Sequence, residues 1–307
     1  MKKIVLYGAG KRGRGIYQFL QHKGYSDMIY CFCDKKAKEI EAIEGKRVML
    51  PEELRDSDIT YCITLLDGDE REIIRNEFGI ENCIDFSELP VLLNVDRVEF
   101  NRDFCAFYHN EGMDSYFEKA EKEVGIFWDF NSEFYKMFQK LDISNVIELG
   151  CGRGRHVVNY IDKAENITLV DILQKNINIC KERYKGEEKI KYYKNDGYDL
   201  KELAADAYSA LYSYDAMVHF ELLDINSYLR DIYRVLKEKG RVLLHHSNYH
   251  ADYRADFSNA PGSRSFMSKE CFAYLAYRAG FEILEQKVID WNGVKELDCV
   301  TLLEKRK

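Results

Sequence analysis

The feature that most constrains this chain occurs twice. A short apolar strand runs into a glycine-rich turn, first at Ile4-Val-Leu-Tyr-Gly-Ala-Gly-Lys-Arg-Gly13 and again at Val146-Ile-Glu-Leu-Gly-Cys-Gly-Arg-Gly154. Ile16, Phe19 and Leu20 follow the first turn at helical spacing, and Val157, Val158 and Ile161 follow the second. Such a turn lets backbone come close to a ligand, and a following helix aims its free N–H groups there. Beyond each turn, apolar strand candidates alternate with helix candidates. They span residues 28–33, 59–65 and 83–86 in the first half. In the second they span 167–170, 190–193, 210–214, 241–245, 281–289 and 299–303. That alternation means parallel strands with helices on both faces. The sequence therefore predicts an α/β protein of two tandem doubly wound sheets, and 307 residues are enough for both.

The expected boundaries are 1–90 for the first α/β unit, 91–140 for a connector and 141–307 for the second unit. The connector lacks the alternation and is dense in aromatics, among them Phe100, Phe104, Tyr116, Phe117, Phe127, Trp128 and Phe134. We read it as helices that join the sheets and partly cover the site on the second glycine turn. A net charge of −8 argues against general nucleic-acid binding, which needs a basic surface. The opening apolar run at residues 4–7 is too short for a signal peptide, and no run approaches the roughly 18 apolar residues of a membrane span. Nine cysteines without paired CxxC spacing suggest reduced, buried thiols and no zinc site. The expectation is a cytoplasmic protein with no membrane or nucleic-acid partner; self-association is left open.

Charge separates the two glycine turns. Gly8, Gly10 and Gly13 spell GxGxxG with Lys11 and Arg12 inside and no acid. That suits a phosphate, so a nucleotide or nucleotide sugar is the expected ligand, with Asp34 placed to accept from a ribose hydroxyl. In the second turn Glu148 precedes Gly150, Gly152 and Gly154. A carboxylate there would repel a pyrophosphate and welcome a cation. S-adenosylmethionine has an ammonium and a sulfonium and no phosphate, and it fits. Asp171 ends the next strand, where a carboxylate can grip both ribose hydroxyls. Asp196 and Gly197 follow the third strand, where adenine would lie, and Asp196 is placed to accept from its exocyclic amine.

Residues 141–250 resemble a class I methyltransferase. Leu141 to His156 is similar to that family's glycine motif, Ser213-Tyr-Asp-Ala-Met-Val-His-Phe220 to its fourth-strand motif, and Tyr233-Arg-Val-Leu-Lys-Glu-Lys-Gly240 to the helix and turn before its fifth strand. Lys239-Gly240 stands where the family often has Pro-Gly, and Gly240 still makes the turn. The resemblance implies a seven-stranded sheet whose last strand is antiparallel, S-adenosylmethionine as cofactor, and Tyr214 among the cofactor residues. The first 90 residues are more loosely similar to nucleotide-binding Rossmann modules attached to bacterial sugar-modifying enzymes.

Methyl transfer to a hydroxyl needs an aligned acceptor and a proton sink, for which histidine is well suited. His219 follows the fourth strand, and His245 and His246 end the fifth. We expect His219 to activate the acceptor and one of the other two to orient it, since adjacent strand residues face opposite ways. His156 reads as structural. His219, Glu221, Asp224 and Asp215 match no defined metal-ligand pattern, so no metal is expected. Arg254 and Arg264 either face an anionic acceptor or, as is commoner for such arginines, lie solvated at the surface, and Trp128 either stacks on cofactor or substrate or packs in the core. The expected function is O-methylation of a sugar, nucleotide sugar or glycan precursor. The alternative is an oxidoreductase or accessory protein that binds NAD(P) or a nucleotide sugar at Gly8 to Gly13.

Overall fold

The computed structural model describes residues 3–40, 42–54, 58–65, 68–111 and 114–306. The chain divides into two compact units, Met1–Phe100 and Asn101–Lys307. Both are α/β, with six and seven strands.

The first unit contains β1 (Lys3–Tyr7), α1 (Lys11–His22), β2 (Ile29–Cys33), β3 (Ala42–Ile43), β4 (Lys46–Met49), β5 (Ile59–Ile63), α2 (Gly68–Phe78), β6 (Cys83–Asp85) and α3 (Leu89–Leu93). The strand order is β3-β4-β2-β1-β5-β6. β1 pairs in parallel with β2 and β5. Ile-Val-Leu-Tyr in β1 and all five residues of β5 are buried, as central parallel strands covered on both faces require. The short β3–β4 ribbon has no counterpart among the strands expected from sequence. Gly13 is fixed by sterics: a Cβ there would lie 1.9 Å from the Gly8 carbonyl oxygen, so helix and loop can pack this closely only without a side chain.

α4 (Arg97–Glu111) crosses the boundary between the units. The second unit continues with α5 (Asp114–Phe127), α6 (Glu133–Phe138), β7 (Asn145–Leu149), β8 (Asn166–Asp171), α7 (Gln174–Arg183), β9 (Ile190–Lys194), β10 (Tyr208–Ser213), α8 (Leu222–Val235), β11 (Leu236–Ser247), α9 (Lys269–Ala279), β12 (Phe281–Trp291) and β13 (Val294–Lys305). The order is β12-β13-β11-β10-β7-β8-β9, with β13 antiparallel between β11 and β12. This is the seven-stranded sheet with a reversed last strand that the resemblance implies. α8 packs on the sheet through Ile225, Tyr228, Leu229, Ile232 and Val235, an i, i+3, i+4 stripe. Each such aliphatic side chain contributes about 1.5–3 kcal/mol on burial. Among the described residues no helix is long and apolar enough to cross a membrane.

The helix expected after Gly154 does not form. Only a single 3-10 turn, Val157–Asn159, follows the second glycine turn, and Tyr160 leaves helical space at φ −141°. Its ring turns inward, where its hydroxyl donates to Glu148 at 2.8 Å. The two glycine turns thus differ in what stands behind them. The first opens a 12-residue α-helix; the second opens none.

Candidate active site

A cleft lies along the carboxyl ends of β7, β8, β9 and β10. Its walls include Gly150, Cys151 and Gly152 from the glycine turn, Asp171 and Ile172 after β8, Asn195 and Gly197 after β9, and Tyr214, Asp215 and His219 after β10. Gly150 has φ +70°, and a Cβ on it would sit 2.5 Å from the Ala216 Cβ, so the turn must be bare here.

Asp171 holds this turn from beneath. One of its oxygens accepts from the Gly152 N–H at 2.8 Å; the other accepts from Leu173 N–H at 2.8 Å and Asn176 Nδ2 at 3.1 Å. Burial raises its carboxyl to about 6, against the pull of those donors. Three of roughly four lone-pair positions are taken, which leaves room for one ligand hydroxyl rather than the expected two.

The sequence-predicted residues divide. Gly150, Gly152, Asp171, Gly197, Tyr214 and His219 converge on the cleft. Glu148 does not line it. It is 2% exposed, faces Tyr160 and Tyr212 within the aromatic layer, and burial raises it to about 7. Gly154 lies behind the wall, its carbonyl accepting from the Tyr184 hydroxyl at 2.6 Å. Asp196 turns away, bound by Lys201 and by Lys194 at 3.4 Å, and Asn195 takes the cleft wall at that turn. His246 is fully buried on the other face of the sheet, stacked 3.7 Å over Phe272 and bonded to Thr301.

His245 is also fully buried, and both of its nitrogens are used. Nδ1 accepts from the backbone N–H of Asp215 at 3.1 Å, and Nε2 meets Asp298 at 3.1 Å. Arg264 clamps the same carboxylate through Nε and Nη2 at 2.9 and 2.5 Å. Burial opposes a charged Asp298, but the Arg264 and His245 bonds outweigh it and hold the acid at about 2. Arg264 is thereby committed, and exposed Arg254 pairs with Asp252 and lines neither the cleft nor the chamber beside it. The chain from Arg264 to His245 ends on Asp215, a non-glycine residue at φ +55°. Such a conformation persists only where its surroundings hold it. Trp128 packs on Phe138 and Tyr160 and donates to His156, so it belongs to the core.

Several site residues carry no signal in the sequence beyond the expected cover. Arg102, Cys105 and His109 of α4 and Tyr116, Phe117 and Glu121 of α5 line the cleft. The cover is fastened by Asn101 to Glu221 at 2.5 Å, Arg102 to Asp224 at 2.6 Å, Tyr116 to Asp215 at 2.7 Å and Arg183 to Glu121 at 2.6 Å. A second chamber of about 720 Å³ adjoins the cleft and shares with it His109, Tyr116, Arg155, Tyr214, Asp215 and His219. Tyr108, Phe127, Phe257 and Trp291 give the chamber its aromatic walls. At the junction Asp215 also takes Arg155 Nη2 at 3.0 Å. Burial works against its charge, and Arg155 prevails, keeping it below the ordinary carboxylate range.

Residues 146–240 match the family model described as a methyltransferase domain. The second unit, with its seven-stranded sheet, has a methyltransferase fold. No curated protein matches the chain in sequence. Similar solved structures include an S-adenosylmethionine-dependent methyltransferase from Mesorhizobium loti, with 15% identity, 58% of this chain and 99% of that one covered, and a TM-score of 0.48. A SAM-dependent methyltransferase from Methanosarcina mazei gives 14%, 56%, 98% and 0.47. The [4+2]-cyclase SpnF gives 13%, 56%, 79% and 0.46. The methyltransferase domain spans the glycine turn, Asp171, Asp215 and His219; the α4–α5 cover lies outside the matched residues.

Proposed function

We propose that this protein binds S-adenosylmethionine in the cleft and methylates a hydroxyl group of an uncharged acceptor held in the adjoining chamber. The observation that carries the reading is the side-chain-free turn at Gly150 and Gly152, tied to Asp171 and lacking an α-helix behind it. A phosphate site draws on a helix N-terminus. This turn offers close approach without that field, as a cationic, phosphate-free ligand requires. The bare backbone at Gly150 and the free acceptor position on Asp171 fit the methionine and ribose parts of such a ligand. When bound, the cofactor supplies an electrophilic methyl on a sulfonium.

The residues of the chain supply the rest. His219 stands at the junction of the two cavities, and its Nδ1 meets the Ser263 carbonyl at 2.8 Å. That contact fixes Nδ1–H and leaves Nε2 as the acceptor. Burial, reinforced by His109 and Arg264, lowers this imidazole to about 3. It is a weak base, but an acceptor oxygen becomes strongly acidic as its bond to carbon forms. With the methyl donor held by Gly150, Gly152 and Asp171, it would pass its methyl to the acceptor oxygen and leave as the neutral thioether, while His219 Nε2 would take the hydroxyl proton.

A sugar or glycan precursor suits a chamber of this size and polarity. A nucleotide sugar does so less well, because Arg155 and Arg264 are both spent on carboxylates. For the first unit we propose a nucleotide or nucleotide sugar held through its phosphates at Gly8 to Gly13. Lys11 opens α1 with no acid in its first turn, and Asp34 already accepts from Ala9 and Lys36 N–H groups.

Titration of the full chain with S-adenosylmethionine, S-adenosylhomocysteine, NAD, NADP and UDP-glucose tests the reading. Binding of the first two is expected to be lost or weakened in Asp171→Ala. If neither binds, the reading is wrong.

A further inference from the structure

His109 enters the site from α4, outside the methyltransferase motifs, and meets His219 there. Their ring centroids are 5.5 Å apart, and each lies 5.4 Å from the Phe257 ring. Both histidines line both cavities. Each is anchored in the same way: His109 Nδ1 meets the Cys105 carbonyl at 2.8 Å, and His219 Nδ1 meets that of Ser263 at 2.8 Å. A carbonyl can only accept, so both rings are held as Nδ1–H tautomers with Nε2 an acceptor. Among the described residues no protein group donates to either Nε2.

We propose that His109 and His219 form a seat for two adjacent hydroxyl groups, so that the acceptor carries a vicinal diol. This rests on the methyl-transfer reading above and narrows its substrate class. Two fixed acceptors at this separation each call for a donor from the ligand. Leaving one unfed in a partly buried site costs about 1–3 kcal/mol. A lone hydroxyl feeds one nitrogen; two neighbouring hydroxyls on one ring feed both. His219 holds the hydroxyl that is methylated and His109 the one beside it, while Phe257 and Tyr108 meet the carbon skeleton.

The surrounding charges agree with a neutral ligand. Burial keeps His109 below its ordinary range, so both imidazoles are uncharged near neutral pH. An ammonium could also feed two acceptors, so cyclohexylamine is one of the probes below; Arg155 and Arg264 in the same chamber are each paired with a carboxylate. Asp215, the carboxylate whose field acts on both rings, is already engaged by Arg155 and Tyr116.

The test uses the full chain saturated with S-adenosylhomocysteine and matched probes, read by calorimetry: cis-1,2-cyclohexanediol against cyclohexanol, and catechol against phenol. Each diol should bind roughly tenfold more tightly than its single-hydroxyl partner, the factor that one fed acceptor supplies. His109→Asn keeps an amide donor where Nδ1 stands and so retains the bond to Cys105, but it has no Nε2. It should keep the fold and lose the diol preference, with its S-adenosylhomocysteine affinity measured alongside so that a change in the cofactor cleft is told apart from loss of the diol seat. Imidazole nitrogen NMR shifts of the unsubstituted protein provide a second readout, independent of that variant. Both Nε2 atoms should be unprotonated at pH 7 and respond to the diols and not to the single alcohols. Equal binding of diols and alcohols, a preference that survives in His109→Asn, tighter binding of cyclohexylamine, or a protonated Nε2 on either ring would overturn the proposal. Failure of S-adenosylhomocysteine to bind would instead remove the methyl-transfer reading beneath it.

Discussion

Glu148 stands where the sequence suggested a carboxylate that greets a cationic cofactor, and the structure gives it a different surrounding. It is 2% exposed, accepts from the Tyr160 hydroxyl, and does not touch the cleft. Burial sets it at about 7 against an ordinary 4.5, with the tyrosine bonds and then Arg155 pulling the other way. The folded chain therefore binds this proton more tightly than the unfolded chain does. The stability this contributes is complete below about pH 4.5 and is lost as pH rises through 7. A displacement of that size costs about 3 kcal/mol once the group is fully ionised.

Glu148→Gln removes the charge and keeps the shape. Its imperfect fit to Tyr160 should cost about 1 kcal/mol, the worth of one neutral hydrogen bond. At pH 5 the variant should be slightly less stable than the original protein, and at pH 8 more stable by about 2 kcal/mol. Urea denaturation at pH 5, 6, 7 and 8 measures this as a difference between the two proteins. Asp171 and Glu221, which titrate near the same range, are shared and cancel. S-adenosylhomocysteine affinity should change by less than about threefold, since no ligand contact is removed. A stability difference that stays constant from pH 5 to pH 8 would refute the buried-charge argument. A tenfold loss of affinity would return Glu148 to the cleft wall.

Three further outcomes are expected. Asp171→Ala should weaken S-adenosylhomocysteine binding by about 1.5–3 kcal/mol, roughly ten- to a hundredfold in calorimetric Kd, because it frees the Gly152 turn and removes the ribose acceptor together. Gly150→Ala should cost about 2–4 kcal/mol in chemical denaturation, from a left-handed φ of +70° and a Cβ 2.5 Å from that of Ala216. Adding Ala216→Gly should recover only the overlap, and full recovery would show that backbone conformation is not involved. His245→Phe should cost about 1–3 kcal/mol and weaken cofactor binding, because the Asp215 N–H is left without an acceptor and its +55° φ without support; an unchanged Kd would separate that network from the site.

How much of this could be read beforehand follows from which interactions are local. The central strands were legible because a strand buried on both faces must be a nearly unbroken apolar run, as in β5. The β3–β4 ribbon was not, since two and four residues carry no periodicity. Val157, Val158 and Ile161 have helical spacing, but Tyr160 among them reaches for Glu148, a contact that no window of sequence shows. Asp171 ends its strand at the carboxyl edge of the sheet, where the glycine turn also lies, and its side chain meets the cleft. Glu148 comes two residues before the glycine turn, and there pleat parity decides. Ile147 and Leu149 pack on one face of the sheet, and Val146 with the Tyr160–Tyr212 layer on the other, so alternation sends Glu148 into the aromatics. His109 is the extreme case. Its partner is 110 positions away, and its own neighbourhood reads as one more aromatic helix. The residues that define the cofactor turn are consecutive in the chain, whereas those proposed to choose the acceptor meet only after α4 has folded over the β10 end of the sheet. Sequence therefore speaks more clearly about the methyl donor than about the acceptor.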